Sequence, residues 1–265
     1  MSAPGRPKRE SLPLGGTARQ RQGGCPVNAR NPRLDGRRVG LIVPSVNTTI
    51  EPEFAWLAPP GISFHAARVM LRETTEAGLR AMNADVGAAA QLIASVSPDV
   101  VAYACTSGTF LEGVAGLRRQ VDAIAAIVGC PVVATSAALL DALRALDLTR
   151  IALATPYLDA INRVEQRFLE ENGVEVVAVE GLGLSGKAIR EVPPATVIEL
   201  VRRADRAEAQ AVFVSCTDFR ALEVAAELEA ELGKPVLTSN QVTLWAILGA
   251  LGMPARVANC GRLLQ

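Results

Sequence analysis

Histidine is almost absent: His65 is the only one in 265 residues, and lysine occurs three times, at Lys8, Lys187 and Lys234. That scarcity excludes several chemistries at once. Ser-His and Cys-His catalysis could rest only on His65, and with no CxxC pair a zinc site lacks the usual ligand spacing. A Schiff-base cofactor needs a lysine in a supporting context, which neither Lys187 nor Lys234 has. No GxGxxG follows the first apolar strand and no GxxxxGK[ST] occurs, so nucleotide binding has no motif to rest on. The sequence implies no cofactor. Apolar runs fall well short of the roughly 20 residues that span a bilayer. Charge of one sign is lacking too: 27 acids balance 27 bases, which leaves no global field for nucleic acid or an anionic membrane.

What the chain does have is an ordinary globular balance, 49% apolar and 20% charged residues, enough to bury a core in one large or two small domains. Residues 1–36 carry Gly, Pro, Arg and Gln without a continuous apolar segment, and read as a disordered leader rather than a secretory signal. Five cysteines, Cys25, Cys105, Cys130, Cys216 and Cys260, form an odd, widely spaced set. With no secretory signal, they imply free thiols in a reducing, cytoplasmic compartment.

Beyond the leader, short β-branched runs alternate with longer helical patterns. Strands are predicted at Arg38–Pro44, Ile62–Met70, Val100–Cys105 and Pro131–Ala134, with the clearest helices at Gly78–Ser95 and Glu112–Val128. The pattern then restarts. Strands at Arg150–Thr155, Glu175–Gly181, Ala211–Ser215 and Pro235–Thr238 alternate with helices at Leu158–Asn172, Pro194–Ala207, Arg220–Leu232 and Gln241–Leu251. Such βα alternation with apolar strands implies parallel sheets covered on both faces.

Three segments repeat in the same order. GLIVPSVN matches IALATPYL, with Pro44 and Pro156 separated by 112 residues, and VVAYACTSGTF matches AVFVSCTDFR, with Cys105 and Cys216 separated by 111. GCPVVATSAALLDAL matches GKPVLTSNQVTLWAI, with 104 residues between Pro131 and Pro235. The expected fold is α/β: two similar lobes from an internal duplication, 37–147 and 148–265, each a parallel sheet flanked by helices. Ligands bind beyond the carboxyl ends of parallel strands, where every matched segment lies. Two lobes related by a pseudo-twofold axis would bring Cys105 and Cys216 to opposite sides of one cleft.

GLIVPSVNTTIEPEF, YACTSGTF, ATPYLDAIN, VSCTDFRALE and TSNQVTLWAIL together resemble the aspartate/glutamate racemase superfamily, within it the maleate cis-trans isomerase and arylmalonate decarboxylase branch. The resemblance covers residues 38–255. It implies cofactor-independent chemistry beside a carboxylate, a small carboxylate substrate, and a homodimer or higher homo-oligomer. It also implies two catalytic cysteines, Cys105 and Cys216, with Asn47 and Tyr157 holding the ligand. Ser45 stands in the same turn as Asn47, and Thr106, Ser107 and Thr217 would donate to carboxylate oxygens. Decarboxylases of the branch carry glycine at the first cysteine and amino-acid racemases carry histidine where Asp218 stands, so the residues lean towards the isomerase. Where maleate isomerases have an Asp-Asn pair after the second lobe's second strand, this sequence reads GLGLSGKAI and places Lys187 at the Asn position.

Two reactions fit a pair of thiols. In an isomerase, Cys105 thiolate would add to a double bond while Cys216 donates and recovers a proton. In an amino-acid or hydantoin-type racemase, one thiolate would remove an α-proton and the opposite thiol replace it. A malonate decarboxylase and a non-catalytic carboxylate-binding protein are the further alternatives. Both thiols are expected at strand-to-helix turns, where terminal N–H groups favour an anion. Asn47 also suits the cap of a helix starting near Thr48, and Glu51 and Glu53 suit its first turn. His65, Cys130 and Cys260 read as structural, and Cys25 as an incidental thiol of the leader.

Overall fold

A computed structural model of the chain describes residues 33–257 and 260–265, which form one compact unit. The predicted leader up to position 32, with Cys25, lies outside the described residues. Eight strands make two parallel sheets. The first is β1 (Arg37–Pro44), β2 (Ile62–Val69), β3 (Val100–Tyr103) and β4 (Val132–Ala134), in the order β2-β1-β3-β4. The second is β5 (Arg150–Tyr157), β6 (Glu175–Leu184), β7 (Ala211–Val214) and β8 (Val236–Thr238), in the order β6-β5-β7-β8. The two orders are the same order shifted by four strands, as the repeated segments require. β1 is buried from Val39 to Pro44, β3 and β7 throughout, so these strands read as unbroken apolar runs.

Helices cover both faces. In the first half they are α1 (Ile50–Leu57), α2 (Glu76–Ala84), α3 (Val86–Ala94), α4 (Thr106–Phe110), α5 (Gly113–Val128) and α6 (Thr135–Ala145). In the second they are α7 (Asp159–Glu170), α8 (Pro194–Ala204), α9 (Leu222–Leu232) and α10 (Ser239–Ala250). The single helix predicted over 78–95 is two. Thr75 caps the first by accepting from Gly78 N–H, and at Asp85 the N–H bonds back three residues to Met82 C=O, which breaks the axis. Among the described residues no helix is long and apolar enough to cross a membrane.

α10 does not stay with its own half. Its side chains Leu244, Ile247 and Leu248 are fully buried in a cluster with Val39, Leu41 and Val43 of β1 and Val100 and Ala102 of β3. The helix starts with a capping box, Thr238 accepting from Gln241 N–H while the Gln241 side chain accepts from Thr238 N–H. This end is therefore fixed at the carboxyl edge of β8, while the rest of α10 straps the second half onto the first sheet. His65 lies half-buried within β2, its Nε2 3.0 Å from Ser63 Oγ.

Candidate active site

The carboxyl ends of β1, β3, β5 and β7 meet around one small cavity. Its wall includes Asn47, Cys105, Thr106, Ser107, Tyr157, Cys216 and Thr217, so seven of the nine side chains singled out from sequence converge. Ser45 and Lys187 do not line it. The Ser45 hydroxyl accepts from Leu71 N–H at 3.0 Å and braces the end of β1 against the chain leaving β2. Lys187 is exposed, while its neighbours Gly186 and Ile189 reach the wall, because a 3-10 turn over Gly186–Ala188 directs the lysine to solvent.

Each cysteine is held by a backbone donor. Cys105 begins α4, and its Sγ accepts from Gly108 N–H at 3.3 Å, the position of a helix cap. Cys216 Sγ accepts from Asp218 N–H at 3.4 Å. The expectation of two strand-to-helix turns holds only for Cys105. After Cys216 the chain turns for several residues before α9, because Cys216 itself takes φ 93°, a region that a Cβ disfavours. That conformation is held from three sides: Ser215 N–H bonds Ala154 C=O, Cys216 N–H bonds Ser239 Oγ at 2.9 Å, and the Asp218 carboxylate accepts from Thr48 N–H and Thr49 Oγ1.

Contacts across the two halves fix the cavity's shape. Asn47 Oδ1 accepts from Thr49 and Ile50 N–H, the capping role expected of it, and its Nδ2 donates to Thr217 Oγ1 at 3.0 Å. Thr217 Oγ1 donates to Ala104 C=O, and Thr106 Oγ1 donates to Ser239 Oγ at 2.8 Å. These hydroxyls are committed to the fold, which leaves the first N–H groups of α4 as the donors without an intrahelical partner. Tyr157 stacks edge-on against Phe110 with centroids 6.4 Å apart, and its hydroxyl is buried.

Burial dominates the electrostatics. It pushes the Cys105 thiol up to about 11, opposed by the Gly108 N–H and Ser107. Burial and then the Asp218 carboxylate raise Cys216 further, and a charge on Cys105 raises it too. Tyr157 is raised by burial and by the neighbouring Cys216, Glu165 and Cys105. Of the two thiols, Cys216 is raised more than Cys105. The enclosed space is about 20 Å³, room for one water. A larger groove of about 680 Å³ between α5, α6 and α10 contains no thiol, so the small cavity is where reactive groups converge.

Over residues 39–264 the chain matches the family model described as arylmalonate decarboxylase. The chain belongs to this family. Among curated relatives, maleate isomerase of Nocardia farcinica is 33% identical over 240 residues, covering 86% of this chain and 96% of that protein. Arylmalonate decarboxylase of Bordetella bronchiseptica is 30% identical over 231 residues, again covering 86% and 96%. A cysteine-to-serine mutant of the Nocardia farcinica maleate cis-trans isomerase, solved with a covalently bound succinylcysteine intermediate, superposes with a TM-score of 0.83 at 30% identity, covering 86% of this chain and 98% of that one. Fold and relatives place the chain in the maleate isomerase and arylmalonate decarboxylase branch of the aspartate/glutamate racemase superfamily, as a maleate isomerase-like enzyme.

Four residues around this site were not among the candidate site residues read from the sequence, where Asp218 served only to separate the branches. Asp218 lines the cavity two positions after Cys216. Ser239 joins Thr106 to the Cys216 N–H, and it stands at the head of the repeated TSNQ segment. Thr74 accepts from Gly186 N–H, while the Thr74 N–H donates to Ser185 Oγ, tying the loop after β2 to the loop after β6. Glu165 is 1% exposed on α7 and accepts from Ser215 Oγ at 2.7 Å. A signal existed for the last: Glu165 interrupts the apolar stripe Ile161, Phe168, Leu169, where an acid is out of place.

Proposed function

We propose that this chain is a cofactor-independent cis-trans isomerase of a small unsaturated carboxylate, the chemistry for which its maleate isomerase relatives are named. The observation that carries the reading is the pair of thiols, buried Cys105 and half-buried Cys216, brought by the two halves to one small cavity. A succinylcysteine in a related enzyme is the adduct expected when a thiol adds across the double bond of an enedioate.

In this reading Cys105, the less strongly raised thiol, is the nucleophile. Its thiolate forms a C–S bond to one alkene carbon, and the π pair moves to the neighbouring carbon beside the carboxylate. Cys216 transfers its proton there, which leaves a C–C single bond free to rotate. The Cys216 thiolate then takes the proton back, the C–H pair re-forms the double bond, and Cys105 leaves as thiolate with the trans product. Hydrogen bonds to the substrate carboxylate from Asn47, Tyr157 and the first N–H groups of α4 would stabilise the negative charge as it develops. Homo-oligomer assembly and a cytoplasmic location, where free thiols persist, belong to the same proposal; light scattering of the purified chain checks the first.

The test is an NMR time course in deuterated buffer with maleate, reduced thiols and no added cofactor. Fumarate is expected, with losses of at least a hundredfold in Cys105→Ala and in Cys216→Ala. Full activity in either mutant would sink the two-thiol mechanism. Deuterium exchange at a saturated α-carbon, without alkene isomerisation, would point to the racemase reading that the same pair of thiols allows.

A further inference from the structure

Among the residues lining the two-thiol cavity none is Lys, Arg or His, and one, Asp218, is an acid. Its two carboxylate oxygens are treated differently. Oδ1 accepts from Thr48 N–H at 2.8 Å and from Thr49 Oγ1 at 3.0 Å. Oδ2 is buried and accepts from nothing among the described residues, although the residue as a whole is only 6% exposed. A buried acceptor left in this way is an unmet demand for a donor.

The nearest cation does not meet that demand. Arg190 acts on Asp218 through its charge, but its guanidinium donates to Val46 C=O and makes no ion pair with Asp218. Lys187, the other cation of that loop, points to solvent. Burial raises the Asp218 carboxyl, and the Thr48 N–H, the Thr49 hydroxyl and the Arg190 charge oppose that rise. A doubly charged enedioate would bring its second carboxylate into a low-dielectric space that offers one anion and no cation. Acceptor would face acceptor. An uncharged amide at that end removes the repulsion and supplies the missing donor.

Resting on the isomerase reading, we propose that Asp218 sets the substrate class: the site selects a singly charged cis-enoate whose far end is a primary amide, the half-amide of a cis-enedioate, with the amide N–H donating to Asp218 Oδ2. The carboxylate end then lies with Asn47, Tyr157 and the start of α4. The amide end lies with Asp218.

Two measurements test this on the purified full chain. Calorimetric binding of the saturated analogues succinate and its half-amide succinamate needs no turnover and so stands apart from the isomerase reading. Succinamate is expected to bind at least tenfold tighter, and equal or tighter binding of succinate would overturn the proposal. Turnover is then followed by NMR with maleate and with its half-amide. The half-amide is expected to have a kcat/KM at least tenfold higher, and Asp218→Asn, which keeps the Oδ1 contacts, to shift that ratio at least tenfold towards maleate. A ratio unmoved by D218N in a folded variant would overturn the role of Asp218. Binding preference for succinamate with no isomerisation of either alkene would leave the selectivity standing and sink the isomerase reading instead.

Discussion

The hydroxyl of Ser215 donates to Glu165 at 2.7 Å, and this sets a fully buried acid directly behind the backbone of Cys216. Among the described residues no cation pairs with it, and burial pushes the Glu165 carboxyl up from an ordinary 4.5 to about 8. The unfolded chain releases this proton near pH 4.5, whereas the folded chain keeps it to about 8. Stabilisation is thus complete below about pH 4.5 and is lost as pH rises through 8, by an amount on the order of 3–5 kcal/mol. Glu53, which accepts from Asn240 at 2.6 Å and is raised to about 8 by burial, acts in the same sense. Thermal melts should therefore show Tm falling between pH 5 and 8, and Glu165→Gln should flatten the slope. A Tm that rises over this range would contradict the assignment.

Cys216 is strained where it stands, at φ 93°. Glycine adopts that conformation without penalty, whereas alanine keeps the offending Cβ. Cys216→Gly is expected to be about 1 kcal/mol more stable than Cys216→Ala, the reverse of the usual order of these two residues. Both should be inactive. Chemical denaturation of the pair settles the order.

Gly108 has no room for a side chain. A Cβ there would lie 2.7 Å from Tyr103 Oη and 2.8 Å from Met82 Cε, while the Gly108 N–H is the donor that caps Cys105. Overpacking of this kind costs about 1–3 kcal/mol. Gly108→Ala should lose stability by that amount and lose turnover more than substrate binding, because the strain falls on the nucleophile's own turn. Unchanged kcat with weakened binding would show that α4 serves only to hold the ligand.

The cavity of about 20 Å³ is too small for a four-carbon acid, and the Thr74–Ser185 pair ties down the loop above it. Ser185→Ala removes one tether without touching the thiols. Alkylation of Cys105 and Cys216 by iodoacetamide is expected to accelerate severalfold at unchanged circular dichroism. If the rates match the unmodified protein, that loop is not the entrance.

The mirrored segments made the strands and the two-thiol cavity legible, because a strand's carboxyl end is fixed by its apolar run and the repeated Cys-Thr marks that end twice. Strand edges agree within three residues even at β6, which continues past the predicted Gly181 to Leu184. What sequence could not carry was direction. Nothing in VSCTDF announces that Cys216 adopts a positive φ, since the conformation is imposed by Ala154, Ser239 and Thr48 from elsewhere in the chain. The family resemblance placed Lys187 at a ligand position, yet a short 3-10 turn decides that it faces outward. The crossing of α10 was equally hidden: its apolar pattern specifies burial but not against which sheet.

The bonds that close the cavity join residues far apart in the chain, Asn47 to Thr217 across 170 positions and Thr106 to Ser239 across 133. During synthesis the first sheet is complete once Ala134 has emerged, but its face for α10 stays bare and Cys105 stays an ordinary accessible thiol. Only when α10 has been made do both defects vanish together. Contacts of such long separation form late. The nascent chain consequently passes through a stage in which its future nucleophile is open to oxidants and its apolar sheet face is open to other chains, and the arrival of α10 ends that exposure.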